Sequence, residues 1–394
     1  MKPHKYRRIA AILAGPLAAL FTSHSAQAQS TYTWANSNVT ATPAASLNWF
    51  NATQGTWTEG TPVSGNTNTI QFFANTTTAL TNTGGSGNTQ ASIVDNGGNA
   101  FQLGTLTLSG LASATTGANL TMNISGDALN FSAATGTINL NALNATRTIS
   151  YNVANQIQLG TASSNGALTF TGAGTGNFTF SGNISELKTG GGSIVKSGTS
   201  TLTLSGTNSY TGGTIVSAGT LNINNNSALG TGTLTINTNN TTFGNTSGGL
   251  ISITNNITST NNTIFAGTNA LTTSGSYSYN STARTLTVNG SGVLTVGALA
   301  INGGTTGLLR KAGTGTLAIT RASSVPGVEF GASGGVVIAG NAASLGTGNL
   351  AVINGGSGTL QSSVALTGSS KIANGVTLTA VSYTHLRAHE TEAD

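Results

Sequence analysis

The sequence is short of nearly everything that catalysis and metal binding draw on. Its 394 residues include no cysteine, which excludes disulfide scaffolds and cysteine-ligated zinc or iron–sulfur centres. Its four histidines, His4, His24, His385 and His389, all lie near the two ends. Charged residues make up only 5%, against about 25% in an ordinary soluble domain. Between residues 29 and 380 the acids are Glu59, Asp95, Asp127, Glu186 and Glu329, none within thirty positions of another. Glycoside hydrolysis needs two carboxylates about 5–10 Å apart, and lyases need a calcium cage or a base beside Lys or Arg. The chain is therefore expected to be no enzyme, with no catalytic, cofactor or metal site.

The net charge of +5 gives no nucleic-acid footprint. Four of the thirteen basic residues, Lys2, Lys5, Arg7 and Arg8, open the chain, and the other nine nearly balance eight acids. Phosphate binding needs clustered Lys and Arg, and the only adjacent basic pair in the body is Arg310–Lys311. No nucleic-acid partner is expected.

The two ends differ from the body. A basic start, an apolar stretch from Ile9 to Phe21 and Ala26-Gln27-Ala28 give residues 1–28 the layout of a secretory signal peptide. The apolar stretch contains Pro16 and falls short of the roughly 20 residues that cross a bilayer, so no transmembrane segment is expected. At the other end, residues 381–394 (Val381 to Asp394) hold His385, Arg387, His389, Glu390, Glu392 and Asp394. The string SYTHLRAHETEAD resembles translated sequencing-adapter sequence, so this tail is read as non-native and the gene as continuing beyond it. The alternative, a metal cluster of His385, His389 and Glu390 on a helix, lacks structural context.

What fills the body is glycine, 55 residues of it, and a 37% apolar fraction set among Thr, Ser and Asn. From about 100 to 380, apolar residues recur at every second position. Leu106/Leu108, Ile149/Tyr151/Val153, Phe178/Phe180, Leu202/Leu204, Leu317/Ile319 and Val376/Leu378 are examples. Period two predicts strands with one buried and one wet face, and the Gly/Asn/Ser punctuation predicts tight turns. A sandwich, an up-and-down barrel and a solenoid can all use this pattern. Internal repetition favours the solenoid. Lys196 aligns with Lys311, Gly198 with Gly313 and Leu202 with Leu317, each 115 positions apart, and Ala228-Leu229-Gly230-Thr231-Gly232 matches Ser344-Leu345-Gly346-Thr347-Gly348. Uncharged Asn, Thr and Ser can stack on successive turns, where like charges would repel.

Residues 190–237 resemble the autotransporter-associated β-strand repeat. The matching residues are Lys196-Ser197-Gly198, Thr201-Leu202-Thr203-Leu204-Ser205-Gly206, Asn208-Ser209-Tyr210-Thr211-Gly212-Gly213-Thr214, Ala218-Gly219-Thr220-Leu221 and Ala228-Leu229-Gly230. A second copy at 305–354 keeps Lys311-Ala312-Gly313 and Leu345-Gly346-Thr347-Gly348 but lacks the Tyr-Thr-Gly-Gly stretch. The resemblance implies an all-β, right-handed parallel β-helix of the passenger type, exported to the cell surface, the outer membrane or the medium. It also implies a translocating outer-membrane barrel, which this sequence does not contain.

The expected layout is a signal peptide (1–28), an N-terminal cap (29–100), β-helix repeats (101–380) and the tail. The expected role is an adhesive or structural stalk, with surface glycans or further copies of the chain as partners. A polysaccharide-active β-helix enzyme and a pure spacer are the alternatives. Trp34, Trp49 and Trp57 all fall in the cap. They are read as covering the first turn's exposed edge, with a sugar-stacking face as the alternative. In the best-matching segment Leu202 and Leu204 should face the core, and Gly212-Gly213 and Gly219 should turn the chain. Asn224-Asn225-Asn226 tolerate left-handed backbone and can bond the backbone at a corner.

Overall fold

The two-residue alternation becomes an inside–outside alternation on nearly every strand. In Thr201–Leu204 the two leucines are buried while the two threonines face outward, and Thr220–Ile223 and Thr316–Ile319 repeat the pattern. A side-chain period of two allows nothing else when one face of a strand is covered. Turn after turn stacks in parallel on the one before, so the covered faces join into one continuous core. This computed structural model describes residues 31–35, 46–48, 64–75, 88–94, 98–111, 120–143, 148–280, 282–303, 306–352, 356–363 and 376–378. The signal-peptide region, Trp49, Trp57 and the tail lie outside them, and Trp34 falls in the strand Thr31–Ala35.

The fold is an all-β, parallel β-solenoid, and no helix occurs among the described residues. A first sheet of eleven strands runs from Thr31–Ala35 to Leu299–Asn302. A second of fourteen runs from Ser46–Asn48 to Val376–Leu378. Two shorter sheets form the third face: four strands ending at Ile184–Glu186, then six from Ile251–Ile253 to Thr359–Ser362. Neighbouring turns pair in parallel throughout the three faces. The strands within 29–100 belong to the same stack: Thr31–Ala35 pairs with Thr69–Asn75, which pairs with Thr105–Leu111.

The turns tighten over the first half of the chain. Thr69 pairs with Thr105, thirty-six positions on. Ala167 pairs with Ser193, twenty-six on, and Ile194 with Thr214, twenty on. The third face is interrupted where the turns reach twenty residues. Between Glu186 and Ile251 that face has no strand, and two compact loops close the turns instead. Tyr210 plugs the first loop and Ala228 and Leu229 the second, all fully buried. The Tyr210 hydroxyl shares a hydrogen bond with Thr214 Oγ1 and donates to Ala228 O across the turn.

The copy 115 residues on is not a superposition of the first. Lys196 ends a strand of the first sheet, whereas Lys311 lies on a strand of the second. Leu202 and Leu204 are on the second sheet, whereas Leu317 and Ile319 are on the third face. Five turns separate Lys196 from Ile301 within the first sheet, and ten further residues reach Lys311 on the next face. The copy is thus rotated by one face. Its Leu345 loop closes the turn where a first-sheet strand would stand, and the first sheet ends at Asn302.

Ile215 points outward between buried Thr214 and Val216. Asn224, Asn225 and Asn226 bond the backbone at their corner, as expected, and do so without left-handed backbone, which among the described non-glycine residues only Asn240 and Ser333 take. The bonds run through their side chains. Their Oδ1 atoms accept from the backbone N–H groups of Thr246, Ser227 and Ser252 respectively. Gly213 and Gly219 do turn with positive φ, at 88° and 73°.

Candidate functional site

Two lysines stand where the interior pattern calls for apolar side chains. Leu106, Ile138, Phe170, Lys196, Val216 and Ile236 form one inward column on successive turns of the first sheet. Lys311 sits between Leu286 and Phe330 in the second sheet. Both lysines are 0% exposed. Each ammonium reaches the glycine corner that follows its own strand. Lys196 Nζ donates to Gly198 O and, on the next turn, to Ala218 O at 3.4 Å. Lys311 Nζ donates to Gly313 O and Gly334 O at 2.8 Å and to Ala312 O at 3.0 Å. Burial pushes the pKa of each down to about 8, while the carbonyls that accept from them favour the charged form. Sequence reasoning missed their burial. The signal was available: in Ile194-Val195-Lys196 and Leu309-Arg310-Lys311 the lysine falls two positions after a core residue.

Three of the five body acids can be placed, and each is engaged by its surroundings. Glu186 follows Phe131 and Leu159 in a third-face column, at the last strand before the gap. Its carboxylate accepts from the N–H groups of Gly190, Gly191 and Gly192 and from the Thr211 hydroxyl at 2.8 Å. Partial burial raises its pKa, but these hydrogen bonds outweigh that and hold it below the usual value. It therefore ties the end of the third-face sheet to the first strandless turn. Glu329 is paired with Arg310 at 2.6 Å, side by side on adjacent turns of the second sheet. Asp127 accepts from Gly98 N at 3.1 Å. Glu59 and Asp95 lie outside the described residues. Among the described residues no three His, Cys, Asp or Glu side chains come together as a metal would require. No described helix is long and apolar enough to cross a membrane.

The outer face of the second sheet is hollowed into a groove of about 430 Å³. Asn152, Thr179, Thr203 and Asn222 follow one another on four successive turns along its floor. Ser150 and Thr201 line it beside them, and Thr246 closes the far end. Every lining residue is uncharged.

A family model, the passenger-associated-transport-repeat, matches residues 194–223. No curated protein and no solved structure matches the chain. The matched stretch begins at buried Ile194, contains the Lys196 corner and the Tyr210 plug, and ends at buried Ile223. It covers two strands of the first sheet and two of the second, on the tightest turns of that part of the stack. The chain thus carries a passenger-associated transport repeat inside a parallel β-solenoid, the make-up of an autotransporter passenger repeat protein.

Proposed function

We propose that the chain is a non-enzymatic passenger, exported by an autotransporter-like route and displayed at the cell surface or released, where it acts as an adhesive or structural stalk. One observation carries this reading: the passenger repeat is built into the solenoid's own stack and is not appended to it. A stack in which each turn contacts only its neighbours extends at nearly constant stability per turn, which suits a stalk. The competing reading, a polysaccharide-active enzyme, has one carboxylate beside an arginine to draw on, Glu329 with Arg310, while Asp127 and Glu186 accept from backbone N–H groups.

The test is to express the gene in a Gram-negative host and treat intact cells with an external protease. A surface passenger is cleaved on intact cells, or is recovered from the medium. A chain found only inside cells and shielded from protease contradicts the proposal. Release of reducing or unsaturated sugars from polysaccharide by the purified chain, abolished by Glu186→Gln, would favour the enzyme.

A further inference from the structure

We infer that the groove on the outer face of the second sheet is a binding site for a neutral, linear glycan lying along the solenoid axis. The inference deepens the passenger reading by naming a partner class and the place that holds it.

The outer face of a parallel sheet is ordinarily flat, and this one is not. Two threonines, Thr179 and Thr203, stand between the longer Asn152 and Asn222 in one outward column. That difference in side-chain length hollows the middle of the face. The volume of about 430 Å³ lies within the roughly 300–1,000 Å³ of ligand sites. Successive turns are about 4.8 Å apart, so a ligand that follows the column must be elongated.

The lining sets the chemistry of that ligand. All its polar groups are amides or hydroxyls, which donate and accept without favouring either charge sign. Asn222 Nδ2 donates to Thr203 Oγ1 at 3.3 Å, which leaves the Thr203 hydroxyl proton to give. Asn152 Nδ2 donates to Asn123 Oδ1 at 2.8 Å. Among the described residues Thr179 and Thr201 have no side-chain hydrogen-bond partner. The groove therefore presents spare hydroxyl donors and acceptors in a row, matched by a chain of sugar hydroxyls. Phe178 lies beneath the floor and is buried, so recognition runs through hydrogen bonds and not through aromatic stacking.

The experiment uses the full chain, purified, with cellohexaose, mannohexaose and hexagalacturonate as probes in titration calorimetry. Two variants accompany it. Thr203→Asp puts a charge in the groove, and Thr235→Asp puts the same charge on the outward face of the first sheet. Binding of a neutral hexasaccharide is expected, weakened roughly tenfold or more by Thr203→Asp and unchanged by Thr235→Asp. Equal thermal unfolding of the two variants assigns the loss to the groove. Failure of both neutral probes to bind overturns the inference, as does binding that ignores Thr203→Asp or favours hexagalacturonate. Self-association of the unliganded chain that Thr203→Asp abolishes would overturn it in favour of a second copy. None of these failures bears on surface exposure, which the protease experiment decides separately.

Discussion

Lys311 repeats Lys196 one face further round the solenoid. Each lysine points inward, donates to the carbonyl of the glycine two positions on, and reaches across to a carbonyl of the next turn. The sequence repeat therefore encodes a corner, not a place on a particular sheet. A strand carries an inward lysine at its end or one residue before it, a glycine turn closes over the ammonium, and the next strand opens with Thr-Leu. Such a cassette works on any face, which is why its second copy functions after rotation.

The lysine corners give the protein a distinctive pH profile. In the unfolded chain lysine keeps its proton to about pH 10.4, whereas in the fold Lys196 and Lys311 release theirs at about 8. Between these values the unfolded state binds more protons, so stability rises with pH. Below about pH 8 both states are protonated and the cost is present in full. Above about pH 10 Tyr210, Tyr277 and Tyr279, whose pKa values burial raises, act in the opposite sense, because the unfolded state then sheds protons that the fold retains. Denaturant unfolding from pH 7 to 10 should show rising stability, and Lys196→Met with Lys311→Met should remove most of the slope.

Register can be tested by two neighbouring substitutions. Leu204 is fully buried and Thr203 faces outward. Leu204→Asp places a carboxylate among apolar side chains and should cost several kcal/mol. Thr203→Asp should cost about 0.5 kcal/mol or less. Equal losses in urea unfolding would overturn the inside–outside assignment.

Backbone contact between corners makes certain glycines irreplaceable. A Cβ on Gly198 would lie far inside contact distance of Gly172 O on the preceding turn. Nothing lies within 4 Å of a Cβ on Gly249. Gly198→Ala should lower stability by about 2 kcal/mol or more, and Gly249→Ala should change it by less than about 0.5 kcal/mol. Thermal unfolding of the two variants separates them.

Glu186 ends the third-face sheet by accepting from Gly190, Gly191, Gly192 and Thr211. Glu186→Gln replaces one acceptor oxygen by an N–H₂ group that faces donors. A loss of about 1 kcal/mol is expected, with hydrogen exchange at Gly190 to Gly192 accelerating while that of the Leu202–Leu204 strand stays unchanged. Slow exchange at the glycines in the variant would mean that the loop holds itself.

Much of the core was legible because a strand obeys a period of two whatever its partners. Leu202/Leu204, Leu221/Ile223 and Leu317/Ile319 could be placed inside from spacing alone, and all are buried. The sheet to which each strand belongs was not legible. It depends on the length of every preceding turn, and the turns vary; the identical 115-residue offset therefore conceals a change of face. Lys196 and Lys311 were hidden by their charge, since burial of a lysine is unfavourable until carbonyls close round its ammonium. Ile215 is the converse case: it is apolar yet faces outward, because Val216 holds the inward position. The groove was invisible because its lining comes from several turns, each contributing one or two ordinary polar residues.

The central claim is parallel stacking of successive turns at the matched repeat, and its absence of cysteine lets the chain test it cleanly. Thr201 lies beside Thr220 and Thr203 beside Asn222 on the second sheet, all facing outward. Neighbouring parallel strands are about 4.8 Å apart, within the roughly 4.4–6.8 Å that a disulfide spans. The measurement is oxidative cross-linking of four double-cysteine variants, at 201/220, 203/222, 201/222 and 203/220. Parallel stacking predicts fast, near-complete bonds in the first two and little in the others. An antiparallel sandwich or barrel would give the reverse, with 201/222 and 203/220 cross-linked, and that result would contradict the solenoid.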